Sequence, residues 1–330
     1  MAHELTTHVD GRVEFAYHET HGQGWHKLGQ AISASDAENV DIWRERAGMN
    51  WRVQRSKVRY AVDAAGTLVT DAANHVLFRS DTHAPLGVVS AKYQTVQPAQ
   101  MLELFRGLAR AGGLEISAAG TLFGGSRFWA TARIGEASPV STRDRIGAFL
   151  LFASSADGSS KTTGRRVATR VVCNNTLQMA YGEGSAEFSL SHRSKFDPSE
   201  VRGFMGLNSA AWDSFRHQIT RLANIAMPTD EAAERAIDIL EPSARKAGFD
   251  AIDKVRDSAA YKRVLSLFNG AGIGADIDGA AGTAWGLLNA FTEYADHHAR
   301  AHSDENRFAS AQWGNGATLK NRALAALLTA

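Results

Sequence analysis

Two stretches carry residue types that bind phosphate and stack on bases. In Arg127-Phe128-Trp129-Ala130-Thr131-Ala132-Arg133-Ile134 polar and apolar residues alternate. Successive side chains of a strand point to opposite faces. Phe128, Ala130, Ala132 and Ile134 then form a core face, and Arg127, Trp129, Thr131 and Arg133 an outer one. Trp51 to Val62 reads the same way and sets Arg55, Lys57 and Arg59 on one side. Guanidinium groups meet phosphates and an exposed ring stacks on a base, which is the chemistry of a single-stranded nucleic acid. The plainer reading is the solvated outer face of a half-buried strand, its aromatic partly covered by a helix.

A second basic group follows the turn Asp157-Gly158-Ser159-Ser160. It comprises Lys161, Arg165, Arg166 and Arg170, with no acidic residue between 161 and 170. The pattern predicts a helix over Val167 to Tyr181, starting near Arg166, with Arg166 and Arg170 one turn apart beside Asn174. A helix N-terminus with arginines, threonines and backbone N–H groups is an anion site, most naturally for phosphate. Its alternative is a basic loop without a ligand.

Other constellations are weaker. His298 and His302 stand at i, i+4 with His297 beside them, a spacing that can hold the edge of a metal site. The glutamate of an HExxH motif is missing, since Ala occupies 299, and histidines also suit a helix C-terminus for dipole reasons. Gly314 to Lys320 is glycine-rich but does not match a phosphate-binding loop of the nucleoside-triphosphatase kind. Cys173 lies among Val171, Val172 and Leu177 and reads as a buried structural thiol. No complete catalytic signature appears, and no catalytic residue, cofactor or metal is assigned.

The elements that must position these residues fall into two textures. From about residue 50 to 195 the chain is strand-like, with Ile146 to Ala153 a central strand buried on both faces and Pro98 to Ala111 a helix ending at Gly112-Gly113. Glu187 to Lys195 alternates as a further strand. Asp197-Pro198 starts a helical run to Ala226. Helices are also predicted from Thr229, over Ala251 to Phe268, Thr283 to Arg300 and Thr318 to Leu328, with Gly270 to Gly282 a loop. The expected fold is α+β: a mostly antiparallel sheet core with flanking helices, followed by a helical C-terminal part. The divisions fall at 1–50, an N-terminal arm and first elements, 51–197, an α+β core with a basic sheet face, and 198–330, helices packed on that core.

Composition agrees with a soluble globular chain: 330 residues, 44% hydrophobic, 22% charged. The net charge of +1 excludes a strongly basic tail as the route to a partner. Residues 120–195 nonetheless hold 10 basic and 5 acidic residues, while residues 206–330 hold 13 against 15. A single cysteine excludes an internal disulfide framework. No apolar run approaches the roughly 18 residues of a membrane span, and no secretory signal is evident, so a cytoplasmic location is expected.

Thr169-Arg170-Val171-Val172-Cys173-Asn174-Asn175-Thr176-Leu177 resembles a segment shared by a phage- and plasmid-associated family of unknown function. Gly24 to Gly29, Tyr93 to Gln97, Gly124 to Arg127 and Gly282 to Tyr294 fit the same family. The resemblance implies a mobile-element context in a bacterial host and no particular activity. In outline the chain is also similar to the single-strand annealing recombinases, by analogy of fold alone. The expected function is single-stranded DNA binding, for annealing or protection. The alternatives are a metal-dependent enzyme acting on nucleotides or nucleic acid, with His297, His298 and His302 near the metal, and a binding protein for a host defence or replication factor. The apolar face of the terminal helix must be covered by the same chain or by a neighbour, and a homo-oligomer is expected with the 317–330 helix at or near the contact.

Overall fold

A run such as Ile146 to Ala153, with no polar side chain, can persist only where both faces are covered. A computed structural model describes residues 11–21, 29–170, 176–178, 187–190 and 208–329 and shows that cover. The run lies in β8 (Arg145–Ser155), flanked by β7 (Arg127–Pro139) and β9 (Thr162–Arg170). The sheet continues through β6 (Ile116–Leu122) to β1 (Phe15–His18) and β2 (Gln30–Ile32). At its other side β10 (Thr176–Gln178) and β11 (Glu187–Leu190) both pair with β9. Every pair is antiparallel except β1 with β2. Three further strands, β3 (Val53–Ala61), β4 (Leu68–Arg79) and β5 (Pro85–Ser90), form a separate antiparallel meander.

Helices α1 (Val40–Arg46) and α2 (Pro98–Ala111) cover one face of the large sheet. Leu102, Phe105 and Leu108 of α2 pack there with Phe128, Ala130, Leu150 and Phe152, and the Phe105 and Phe152 rings stack 5.6 Å apart. Farther along that face, Ile146, Ala148 and Ala168 meet the helical half. This half runs α3 (Asn208–Ala223), α4 (Thr229–Leu240), α5 (Ala244–Ala247), α6 (Phe249–Asp257), α7 (Ala259–Ser266), α8 (Ala284–Glu293), α9 (Asp304–Trp313) and α10 (Asn315–Leu328). All ten residues of α8 are buried, and a π-turn, Tyr294–His298, extends it. The opposite face of the sheet carries Phe15, Leu122, Trp129, Leu151 and Val167, closed by Phe308 and Trp313 of α9.

The expected α+β class with a largely antiparallel sheet and a helical C-terminal part is the observed one. Three local expectations are corrected. The helix over Val167 to Tyr181 is instead strand, in β9 and β10; residues 171–175 and 179–186 lie outside the described residues. Gly158, at φ +76°, turns the chain back beside β8, whose open edge takes β9 as partner. Thr162, Thr163, Val167 and Thr169 are β-branched and suit that place. The helix over Ala251 to Phe268 is broken at Ser258, which leaves helical geometry (ψ 145°) and caps α7 by accepting from the Tyr261 N–H at 3.2 Å. The apolar face of α10, with Ala323, Leu324 and Leu327, is buried within its own chain. The predicted helix start at Asp197-Pro198 and most of the 187–195 alternation fall outside the described residues.

Candidate nucleic-acid interface

The meander β3–β4–β5 positions the first candidate residues. At its root Val53, Leu77 and Val89 are buried in the core shared with α2. Gln97 grips Val53 through both backbone groups, accepting from its N–H at 3.0 Å and donating to its carbonyl at 3.1 Å. Beyond the root the β3–β4 hairpin leaves the body, and every residue from 59 to 70 is exposed. The tip, Asp63 to Gly66, is closed by the Asp63 carboxylate accepting from the Thr67 N–H and by Gly66 at φ +82°.

Alternation sorts the two faces of this arm. Arg55 pairs with Leu77 and Lys57 with His75, so both basic residues share the face that buries Val53 and Leu77 at the root. Arg59 follows two residues on. The other face carries Tyr60 opposite Val69, both exposed, with Val62 and Val88. Arg55 donates to the Ala91 carbonyl at 3.1 Å, and none of Arg55, Lys57 and Arg59 has a carboxylate partner among the described residues. The arm is thus a ribbon with a basic face and an apolar one.

A buried charge cluster fixes the arm to the large sheet. Arg79, at the end of β4, donates to Glu14 at 2.7 and 3.2 Å, to Asp81 at 2.8 and 2.9 Å and to the Gly124 carbonyl at 3.0 Å. Its guanidinium lies 4.3 Å from the Trp51 ring centroid, and Thr121 Oγ1 donates to the Glu14 carboxylate. The hydrogen bond from Arg79 and its charge hold Asp81 below the usual carboxylate range, and the carboxylates in turn hold Arg79 above its ordinary value despite burial. Gly125 makes this approach possible: at φ +96°, a Cβ there would lie 2.5 Å from Trp51 and 2.9 Å from Arg79.

The loop so held, Phe123–Gly125, leads into Arg127. Phe123 adopts φ +54°, a conformation that costs a non-glycine residue roughly 1–3 kcal/mol and is tolerated where the surroundings over-determine it. Its ring and that of Trp313 each lie 5.6 Å from the Arg127 guanidinium carbon. Trp313 is placed by Arg165, which donates from β9 to the Gln312 carbonyl at 2.9 Å. Burial draws the Arg127 guanidinium below its ordinary pKa, and the charge of Asp157 opposes this. Asp157 also lies against Gly87 of β5, so the β8–β9 turn, which leads to the exposed Lys161, adjoins the root of the arm.

The residues expected from the sequence therefore separate. Arg55, Lys57, Arg127 and Lys161 remain at least partly open to solvent around the arm root, and Arg59 is exposed beyond it. Trp129 is only 7% exposed, stacked on Phe15 and tilted against Phe308, so it offers no platform to a base. The cause is α9, which covers the face that the alternation alone leaves outward. Arg133 pairs with Glu136 at 3.0 Å, about 20 Å along β7 from Arg127. Arg166 is buried in β9, so the helix N-terminus expected there does not exist. Of Arg170 only the backbone, at the end of β9, is described; Asn174 and Cys173 lie outside the described residues. His298 approaches Glu293 at 3.7 Å and His302 is exposed. Among the described residues no three histidine, cysteine or carboxylate side chains converge as a metal site.

A family model described as a domain of unknown function, DUF932, matches residues 85–313. The chain belongs to this family. No curated protein and no solved structure matches it. The DUF932 match opens at the first residue of β5 and ends on Trp313. It includes Phe123, Arg127 and Lys161 and leaves out β3 and β4 of the arm. Within this DUF932 chain, sequence reasoning overlooked Phe123, Trp313 and the Arg79 cluster. The Gly124-Gly125 pair was the available signal, since paired glycines after a strand mark a close backbone approach. Among the described residues, no helix is long and apolar enough to cross a membrane.

Proposed function

We propose that the protein binds single-stranded nucleic acid along the basic face of its β3–β4 arm, as a phage- or plasmid-borne DNA-binding protein that protects or anneals strands. The observation that carries this reading is the exposed row Arg55, Lys57 and Arg59, with no carboxylate paired to it among the described residues. Cations held on a projecting ribbon meet a phosphate backbone without first breaking ion pairs, and their binding releases counterions. The arm replaces the Trp129 face as the contact surface.

Repeated subunits along a strand belong to the same reading. The exposed apolar face with Tyr60, Val62 and Val69 is where copies would meet, since the apolar face of α10 is already used within the chain. Mobility-shift titration with an oligonucleotide at two salt concentrations tests the proposal. Binding at low salt that weakens steeply as salt rises supports it, and no affinity at low salt overturns it.

A further inference from the structure

Arg127 is a half-buried cation without a hydrogen-bond acceptor or an ion pair among the described residues. A guanidinium carries five N–H donors and stays charged in any protein environment. The Arg127 nitrogens are not among the buried unpartnered atoms, so water reaches them and an anion could take the place of that water. Asp157 attracts Arg127 through its charge, yet that carboxylate accepts from the Ser159 N–H at 2.9 Å, and no hydrogen bond joins the two side chains. The surroundings of Arg127 instead supply aromatic faces. Phe123 and Trp313 flank it at 5.6 Å, both only partly buried. Each is held by a separate device: Phe123 by a strained backbone anchored through Gly124 to Arg79, and Trp313 by the Arg165 bond to Gln312.

A cation with no protein acceptor among the described residues, held between two rings, fits an anion attached to a planar ring. We infer that Arg127, Phe123 and Trp313 form the seat of a single nucleotide, Arg127 taking the phosphate and the rings taking the base. This deepens the nucleic-acid reading by naming where one nucleotide sits, and it stands on residues outside the arm. A free mononucleotide and a nucleotide within a strand share this chemistry.

The test is titration of the full chain at low salt with deoxyadenosine 5′-monophosphate, deoxyadenosine and inorganic phosphate, followed by calorimetry. The monophosphate should bind, with the nucleoside and phosphate each at least about 10-fold weaker, because each satisfies only half of the seat. Arg127→Met should weaken the monophosphate at least about 10-fold while the melting temperature stays within a few degrees of the parent. Trp313→Leu should bring the monophosphate close to inorganic phosphate. No monophosphate binding, equal binding of monophosphate and nucleoside, or an Arg127→Met variant that binds like the parent would each overturn the inference. If Arg127→Met does not fold, the comparison of the three ligands on the parent still decides.

An oligonucleotide then separates the sources. Displacement of bound monophosphate by the oligonucleotide places the seat on the strand's path, and simultaneous binding assigns it to a free nucleotide; both support the seat. A variant with Arg55, Lys57 and Arg59 all changed to Gln separates the two proposals. Loss of oligonucleotide binding with monophosphate binding retained supports the arm and the seat independently. If the parent binds oligonucleotide but not monophosphate, the seat fails and the arm stands.

Discussion

Arg79 and Glu14 meet at 2.7 Å across 65 residues of sequence, with 2% and 1% of their side chains exposed. Breaking such a pair from one side leaves an uncompensated buried charge, which costs about 3–5 kcal/mol. Arg79→Met should therefore lower the unfolding free energy by that amount, measured by denaturant titration. Arg79→Lys should recover only part of it, since an ammonium cannot reproduce the forked contacts to two carboxylates and the Gly124 carbonyl. Near-parent stability in Arg79→Met would show that the cluster does not hold the arm root.

Asp81 gives the same cluster a pH dependence. Its folded pKa is depressed, chiefly by the hydrogen bond from Arg79, so its contribution is present above the ordinary carboxylate value. That contribution disappears as pH falls through the lower, folded value. Asp81→Asn should flatten the acid side of the stability curve below about pH 4 and reduce stability at neutral pH. Asp81 is 38% exposed, so the effect should stay under about 1 kcal/mol. Unfolding measured from pH 2 to 7 in both proteins checks it.

For the arm, the expected signature is a change of slope. Each phosphate contact on a single strand contributes about 0.7 to the dependence of log affinity on log salt. Changing Arg55, Lys57 and Arg59 together to Gln should reduce that slope by about 2 and leave the melting temperature nearly unchanged, because all three side chains are exposed. An unaltered slope would place the phosphate contacts elsewhere.

In the helical half, Lys320 and Asp296 form a buried pair at 2.7 Å. Lys320→Met alone should cost about 3–5 kcal/mol, whereas Lys320→Met with Asp296→Leu should recover most of the loss. Comparing the two singles with the double measures the coupling. Additive losses would mean that the residues act separately.

Much of this architecture is legible locally. Alternation finds β3 and β7, an unbroken apolar run finds β8, and Pro98 with Gly112 brackets α2, because each signal needs only neighbouring residues. The Trp129 face misleads because alternation reports two faces and cannot report that α9, some 180 residues later, returns to cover one of them. The helix expected around Arg166 fails for a related reason: β8 needed a partner, and pairing overrode a local pattern that served either structure. Phe123 and Trp313 meet at Arg127 only in three dimensions. Arg55, Lys57 and Arg59 were readable as one strand face because alternation needs only neighbouring residues, whereas the departure of that strand from the body was not readable.

The complete enclosure of α8 has a consequence for how the molecule opens. A helix with one face towards water can exchange its amide protons through small local fluctuations. Every residue of Ala284–Glu293 is covered, with α3, α7 and α10 packed around it. Its amides can reach solvent only when those neighbours separate. In deuterated water they should be among the last to exchange, at a rate set by the global unfolding of the helical half, while the arm exchanges early. The molecule would then combine a slow centre with a fast rim, and the amides of α8 would report directly on the stability of the whole C-terminal assembly.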